Sequence, residues 1–231
     1  MLTGEYPISY HKGYHTQHDN FFTEEECDKL ADIILRNEKE ILKIWNPNIK
    51  DNKDPSGYSG LTAQHSVYNW LYHEEIIPFN IEERIFKLPQ FDTKKEVYAS
   101  CWFNVLRQGE RLHIHEHFDP DEHHEDEKKD MITENFYACS VFIQGNEPSY
   151  TWFNSCKTDF EYKPLLNVKG QLQVVGSMVT HEVKLNKYPQ PRISMAMDIA
   201  WEWDITATHL NDCNPRIPGN VKRYKHLIRH K

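Results

Sequence analysis

Histidines occupy every second position in one short stretch near the middle of the chain. In the run His113-Ile114-His115-Glu116-His117-Phe118-Asp119, the four alternate residues His113, His115, His117 and Asp119 all have side chains that can bind a metal. On a β-strand these four project to one face at intervals of about 7 Å, so two of them can reach one ion. Burying several unpaired imidazoles costs free energy unless something satisfies them. The run therefore favours a metal site, and a solvent-facing edge strand is the alternative.

A further histidine and an arginine follow in the second half of the chain. His181 stands at the start of a predicted strand, and eleven residues later Arg192-Ile193-Ser194 opens the last apolar strand. Each feature alone has a common structural explanation. When both follow the histidine run in this order, within a pattern of strands, they indicate a functional site much more specifically than either feature does alone.

The composition predicts one folded domain. The chain has 231 residues, a formal net charge of −8, 39% hydrophobic and 13% aromatic residues. That content supplies a core and excludes a disordered chain, and the acidic balance argues against a nucleic-acid partner. No run of apolar residues is long enough to span a membrane and no signal peptide is visible, so a cytoplasmic location is expected.

The cysteines indicate a reducing compartment. Their number is odd, they are scattered, and no Cys-x-x-Cys pair occurs, which argues against a disulfide framework or a zinc ribbon. We expect buried thiols at Cys27, Cys101, Cys139, Cys156 and Cys213.

The first 95 residues are predicted to be a helical and loop support. Thr23-Glu24-Glu25-Glu26 is a capping box, and the apolar spacing that follows predicts a helix over 23–37. A second helical stretch is predicted over 77–87, and the turn-rich 46–60 segment is predicted to be a loop.

Strand-like runs dominate the residues from 96 to 204. Eight short strands with turns between them and no helical interruption predict an antiparallel sandwich or jelly roll, with the N-terminal helices packed outside one sheet. The predicted strands are 96–106, 111–117, 136–144, 150–155, 159–166, 171–176, 181–185 and 192–203.

Two charged segments flank this pattern. Residues 119–134, which directly follow the metal strand, are strongly acidic, as is typical of a solvated loop, and our hypothesis is that they form a lid that orders over bound substrate. The tail, residues 205–231, is basic from Arg216 onward. A frayed basic terminus is the simplest interpretation of the tail.

In the histidine run, in His181, Arg192 and Ser194, and in the strands around them, the chain resembles the 2-oxoglutarate- and Fe(II)-dependent oxygenases. Within that group it resembles the small bacterial and phage enzymes related to prolyl and aspartyl hydroxylases. The resemblance covers roughly residues 96–200, and the helix beginning near Thr23 is similar to one in prolyl hydroxylases. It implies a double-stranded β-helix, which is a jelly-roll or cupin-like fold. The segments that carry it are Trp102 to Gly109, His115-Glu116-His117, Ser140 to Ile143, Gly176 to Val183 and Arg192 to Ala196.

The resemblance leaves two ligand sets open. The usual family site is His-x-Asp/Glu with a distal histidine. The distance from Gly109 favours His115, His117 and His181, a site with three imidazoles. A register shifted by two residues gives His117, Asp119 and His181, which is the usual set.

The resemblance also implies a cofactor and a co-substrate. Fe(II) would bind 2-oxoglutarate, whose distal carboxylate Arg192 would grip in a two-pronged contact. Ser194 would add a hydrogen bond, and Asn104 would face the site. Hydroxylation of a small-molecule or peptidyl substrate would release succinate and CO₂. Trp102, Tyr137 and Trp152 are candidate lining residues, with a core position as the alternative for each.

Two other functions remain open at this point. One is a three-histidine cupin-type dioxygenase that does not use 2-oxoglutarate. The other is a non-catalytic jelly-roll module that binds a metal for stability.

Overall fold

The structure is a computed structural model and describes most of the helices and strands. The described residues are 15–45, 68–91, 96–115, 117, 136–146, 148–154, 162–176, 179–201 and 225–229. The acidic 119–134 segment, including Asp119, and the 46–60 segment lie outside them. The lid hypothesis therefore stays a prediction.

Helix α1, Glu24–Trp45, begins where the capping box predicts. The backbone N–H of Glu26 donates to Thr23 Oγ1 (3.2 Å), and that of Thr23 donates to the Glu26 carboxylate (2.8 Å). The helix is longer than the predicted 23–37, because Ile41 and Leu42 continue its apolar face against the core.

The helical stretch predicted over 77–87 is present as two short helices. A short 3-10 helix, Ile77–Phe79, precedes helix α2, Ile81–Phe86. Asn80 separates them with a left-handed backbone conformation (φ 51°), which an uninterrupted helix does not accommodate. Two more 3-10 helices are Trp70–Tyr72 and Pro89–Phe91.

Ten strands form two antiparallel sheets in the described part of the chain. They are β1 (His15–His18), β2 (Val97–Leu106), β3 (Leu112–His115), β4 (Phe136–Gln144), β5 (Tyr150–Asn154), β6 (Tyr162–Leu166), β7 (Leu172–Gly176), β8 (His181–Val183), β9 (Arg192–Trp201) and β10 (Lys225–Leu227). The larger sheet has the order β1-β7-β4-β9-β2-β10, and the smaller one β3-β8-β5-β6.

The eight strands predicted from the sequence are β2 to β9, and they form a jelly roll. The chain passes from one sheet to the other between β2, β3, β4 and β5, and again between β6, β7, β8 and β9. This confirms the predicted mainly β fold, a double-stranded β-helix with N-terminal helices. The sequence did not reveal β1 and β10, which extend the larger sheet at its two edges; β10 lies within the predicted basic tail.

The two faces of the larger sheet differ in polarity because its side chains alternate. Cys101, Phe103 and Val105 of β2 point toward α1 and join the main hydrophobic core. Trp102 and Asn104, between them, point toward the smaller sheet. Helix α1 thus covers the apolar face, as predicted, and leaves the polar face for a cavity between the sheets.

Cys27, Cys101 and Cys139 are buried free thiols, as expected. Cys156 and Cys213 lie outside the described residues. None of the helices that the structure describes combines the length and the apolar character needed to cross a membrane.

Candidate active site

A cavity of about 270 Å³ lies between the two sheets of the jelly roll. The smaller sheet contributes histidines to its wall, and the larger sheet contributes polar residues from the face that α1 does not cover. Among the latter are Asn104, Ser140, Gln173, Ser194 and Asp198. This many polar groups on an inward face are costly in a hydrophobic core, so the composition of the wall indicates a binding site.

Three histidines converge at one side of the cavity. His115 ends β3, His117 follows it by two residues, and His181 begins the neighbouring strand β8. A ring nitrogen of each lies within 4.8 Å of one from each of the others. The ring centroids are 4.3 Å apart for His115 and His181, and 5.1 Å apart for His117 and His181. This arrangement is compact enough for one metal ion to contact all three.

The prediction that His113 shares their face is wrong. Leu112 is paired with Val183 and His115 with His181, so the register slips between these pairs in a β-bulge. A bulge changes the direction of the side chains around it. As a result Leu112 and His115 both line the cavity, whereas His113 does not.

The hydrogen bonds of the three rings determine which nitrogen carries the proton. Nδ1 of His115 contacts the carbonyl oxygen of His113 (2.8 Å), and Nδ1 of His181 contacts that of Val179 (2.9 Å). Nδ1 of His117 contacts a carboxylate oxygen of Asp198 (2.5 Å). All three partners can only accept, so each Nδ1 donates a proton, and in the neutral form of each ring Nε2 then has the lone pair that binds metals.

Electrostatics keep His181 in the form that binds metals. Its burial, followed by the neighbouring imidazoles of His115 and His117, holds the pKa of His181 well below its usual range. A neutral imidazole is the species that ligates transition metals. Asp119, the carboxylate of the alternative ligand set, lies outside the described residues, and that set stays a prediction.

Arg192 is a buried cation in the cavity wall with no acidic partner among the described residues. The residue is 7% exposed and begins β9. Its guanidinium donates to Ser149 Oγ (3.2 Å), Ser194 Oγ (3.2 Å) and Thr151 Oγ1 (3.4 Å), which are neutral. Burial lowers the pKa of Arg192 to about 10, so it remains protonated near neutral pH.

Two further contacts hold this guanidinium in place. Its central carbon lies 5.5 Å from the centre of the Phe142 ring. When the side-chain amide of Asn167 is oriented so that its nitrogen faces an acceptor and its oxygen faces donors, the oxygen accepts a hydrogen bond from Arg192 Nη2 (3.2 Å). A buried guanidinium held by neutral partners has the charge and geometry to bind an anion.

Asn104 and Ser194 lie on adjacent strands in this wall. The two residues are directly paired across β2 and β9, and both line the cavity. Ser194 contacts Arg192, whereas Asn104 Oδ1 is buried and has no hydrogen-bond partner among the described residues. A buried acceptor without a partner is costly, which indicates that a bound molecule supplies a donor.

Only one of the three aromatic candidates lines the cavity. Trp102 does so and lies 5.5 Å from the His117 ring. Tyr137 instead packs against Phe91 beside the main core, with ring centroids 5.4 Å apart. The ammonium of Lys184 lies over the ring of Trp152, which does not line the cavity. For these two residues the core or surface interpretation is the better one.

The sequence did not single out Asp198, Thr151 or Gln173, all of which line the cavity. The sequence feature that could have identified them is a polar residue within an otherwise apolar strand, as with Asp198 between Met197 and Ile199. Strand alternation would have placed Asp198 on the same face as Ser194.

Solved structures with the same fold support this assignment of the architecture. The alpha ketoglutarate-dependent epimerase SnoN from nogalamycin biosynthesis superposes with a TM-score of 0.57 at 10% identity, over 95% of this chain and 96% of that one. HygX from Streptomyces hygroscopicus, with nickel and 2-oxoglutarate bound, gives 0.52 at 9% identity over 80% and 81%. The protein has the fold of the 2-oxoglutarate- and iron-dependent oxygenases.

A third structure with this oxygenase fold is the carbocyclase SnoK, also from nogalamycin biosynthesis, with a TM-score of 0.51, 10% identity, and 95% and 94% of the chains covered. No protein-family model and no curated protein matches the sequence. At such low identity the similarity shows the oxygenase fold, and any activity has to be argued from the residues of the cavity.

Proposed function

We propose that this protein is an Fe(II)- and 2-oxoglutarate-dependent dioxygenase that hydroxylates a small-molecule or peptidyl substrate. The observation that carries the proposal is the pairing of two features in one cavity. Three imidazoles converge on its one side, and a buried arginine without an acidic partner among the described residues lies in its wall. A metal that chelates one end of a dicarboxylate and a cation that binds the other end would use both features.

The histidine cluster fits a transition metal by the chemistry of its donors. His115, His117 and His181 each direct an unprotonated nitrogen to the cluster, and imidazole is a ligand suited to iron. Three protein ligands leave positions for a co-substrate and O₂. When bound, Fe(II) would supply the redox chemistry in which one oxygen atom of O₂ enters succinate and the other the hydroxylated product, with CO₂ released.

Arg192 is the residue that argues for a dicarboxylate. Its neutral hydroxyl partners position the guanidinium without cancelling its charge, and its burial strengthens the attraction for an anion. Ser194 can donate its hydroxyl to the same carboxylate. HygX, whose structure contains nickel and 2-oxoglutarate, gives independent support for this co-substrate in a protein of the same fold.

Asn104 and Trp102 have supporting roles in this proposal. Asn104 lines the cavity with an acceptor that has no partner in the part of the chain that the structure describes, so its amide is placed to orient a bound molecule. Trp102 packs its ring against His117 and is 6% exposed, which excludes water from that side of the cluster. Exclusion of water strengthens the polar contacts of the site.

The ligand set itself favours a second candidate, a three-histidine cupin-type dioxygenase that does not use 2-oxoglutarate. Such an enzyme also needs three imidazoles, but it gives Arg192 no anion to bind. The substitution Arg192→Met separates the two. It should strongly weaken binding of 2-oxoglutarate in the first case and change little in the second.

Turnover of 2-oxoglutarate tests the proposed function. Protein loaded with Fe(II) is incubated with 2-oxoglutarate, ascorbate and O₂, and succinate is measured by mass spectrometry beside the matched His181→Ala variant. Succinate that requires Fe(II), O₂ and His181 supports the proposal. Succinate at equal amounts in both proteins, or none above the protein-free level in either, contradicts it.

A further inference from the structure

The three-imidazole cluster brings no negative charge to a bound metal. The usual facial triad of two histidines and one carboxylate lowers the net charge of its Fe(II) by one. Here all three converging groups are neutral rings. Among the described residues that line the cavity, Asp198 has the only carboxylate.

Asp198 contacts one of the proposed ligands directly and away from solvent. Its Oδ1 lies 2.5 Å from His117 Nδ1, and the two side chains are 8% and 6% exposed. No lysine or arginine forms an ion pair with Asp198 in the part of the chain that the structure describes. A buried carboxylate without a compensating cation is costly, and a metal bound through the ring would provide that compensation.

The Nδ1 atoms of the other two rings contact backbone carbonyls in the part of the chain that the structure describes. His115 and His181 donate Nδ1–H to the backbone carbonyls of His113 and Val179, which carry no net charge. Backbone carbonyls orient a ring, whereas a carboxylate also increases the electron density on the nitrogen that binds the metal. Asp198 therefore gives His117 a charged partner at Nδ1.

We propose that Asp198 is a positioning residue that supplies, through His117, the negative charge that the imidazole cluster lacks. The inference rests on the metal site of the proposed function and deepens it. It distinguishes a charge effect from a purely steric one, because asparagine at position 198 keeps the shape and can accept the same hydrogen bond from Nδ1. Only the charge is lost.

Metal affinity tests this role without requiring turnover. The d–d absorption of Co(II) is titrated at one pH into the wild type, Asp198→Asn, Asp198→Glu and Ser100→Ala, and far-UV circular dichroism checks that each is folded. Ser100 is the matched control. It is buried and paired directly with Asp198 across β2 and β9, and its hydroxyl has no hydrogen-bond partner in the described ranges of the chain.

We expect Asp198→Asn to raise the Kd for Co(II) about 10- to 100-fold, and Ser100→Ala to change it less than about twofold, as expected for a change outside the ligand network. Asp198→Glu retains the charge and should bind closer to the wild type than to the asparagine variant. With Cu(II) as the probe, the electron paramagnetic resonance value of g∥ should rise in Asp198→Asn, because a more positive site raises it.

The outcomes separate this inference from the function on which it rests. Wild-type protein that binds no Co(II) overturns both. Wild-type and Asp198→Asn proteins with equal Kd and equal g∥ overturn the role of Asp198 alone, and the metal site stands. Equal weakening by the asparagine and glutamate substitutions also overturns it, since charge would then not be the cause. Should Asp198→Asn fail to fold, Asp198→Ser takes its place in the same comparison.

Discussion

His115 and His181 lie directly opposite each other on the antiparallel strands β3 and β8, with their ring centroids 4.3 Å apart. The pairing joins two positions that are distant in the sequence. The bulge before His115 is what brings its side chain, rather than that of His113, to the cavity. Strand pairing therefore brings His181 to the two histidines of the local run, His115 and His117.

The bulge makes His113 a matched control for His115. We expect His115→Ala to weaken binding of Fe(II) or Co(II) at least about 100-fold, more than the loss of an outer partner costs, because a ligand is removed. His113→Ala should bind metal like the wild type, since its backbone carbonyl still accepts from His115 Nδ1. Anaerobic titration measures both, and equal losses in the two variants would argue against the proposed ligand set.

Loss of the buried guanidinium should affect 2-oxoglutarate and spare the metal. Removing one partner of a buried charge pair typically costs about 2–5 kcal/mol, so Arg192→Met should raise the Kd for 2-oxoglutarate at least about 30-fold. Calorimetry of the metal-loaded protein measures this. Arg36→Met is the control, because Arg36 lies on the exposed surface of α1 and forms an ion pair with Glu75. An unchanged Kd in Arg192→Met would favour the cupin-type alternative.

Gly170 anchors the segment that leads into α1. Phe22 donates its backbone N–H to the carbonyl oxygen of Gly170 (3.1 Å), and a Cβ at Gly170 would lie 2.1 Å from the Phe22 carbonyl oxygen. Gly109 has a similar φ, +88° against +76°, but its Cβ would meet nothing within 4 Å.

These two glycines separate backbone strain from steric clash. Gly109→Ala should lower the free energy of unfolding by about 1–2 kcal/mol, the cost of left-handed backbone. Gly170→Ala should have the larger effect and lower the free energy of unfolding by at least about 2 kcal/mol, because backbone atoms must shift. Urea denaturation of both variants measures the difference. Equal losses would show that the contact with Phe22 relaxes freely.

His15 makes stability depend on pH. Burial lowers its pKa to about 4 in the folded protein, compared with about 6.5 in the unfolded chain. The unfolded state therefore binds more protons between these values, and stability present above pH 6.5 is lost as the pH falls toward 4. Its side chain is partly exposed, so we expect a loss of about 1–3 kcal/mol.

The substitution His15→Phe removes this titration and keeps an aromatic ring beside Phe153, whose centroid lies 5.6 Å from that of His15. Thermal unfolding between pH 4 and pH 7 should show a smaller loss of stability in the variant than in the wild type. Parallel pH profiles for the two proteins would contradict the prediction.

The sequence predicted the elements that local chemistry determines. The capping box at Thr23 marks the start of α1, and alternation with turn residues marks all eight jelly-roll strands. It did not predict β1 and β10, which are short and exist by pairing with Leu172–Val175 and Val97–Ala99 far along the chain.

The same limit applies to the cavity. Its metal-binding side follows from a local run of histidines, and Arg192 and Ser194 follow from their spacing on one strand. The bulge before His115 depends on how β3 pairs with β8, and the contact of His117 with Asp198 joins two different strands. Neither is encoded within a single window of sequence.

The central claim is that His115, His117 and His181 bind one iron ion within reach of a dicarboxylate that Arg192 holds. An anaerobic titration of the Fe(II)-loaded protein with 2-oxoglutarate tests it most directly, followed through the visible charge-transfer band of the chelate. We predict a saturable band in the wild type that is absent in His181→Ala and requires far more 2-oxoglutarate in Arg192→Met. A wild-type protein that binds Fe(II) but develops no band at saturating 2-oxoglutarate would contradict the account.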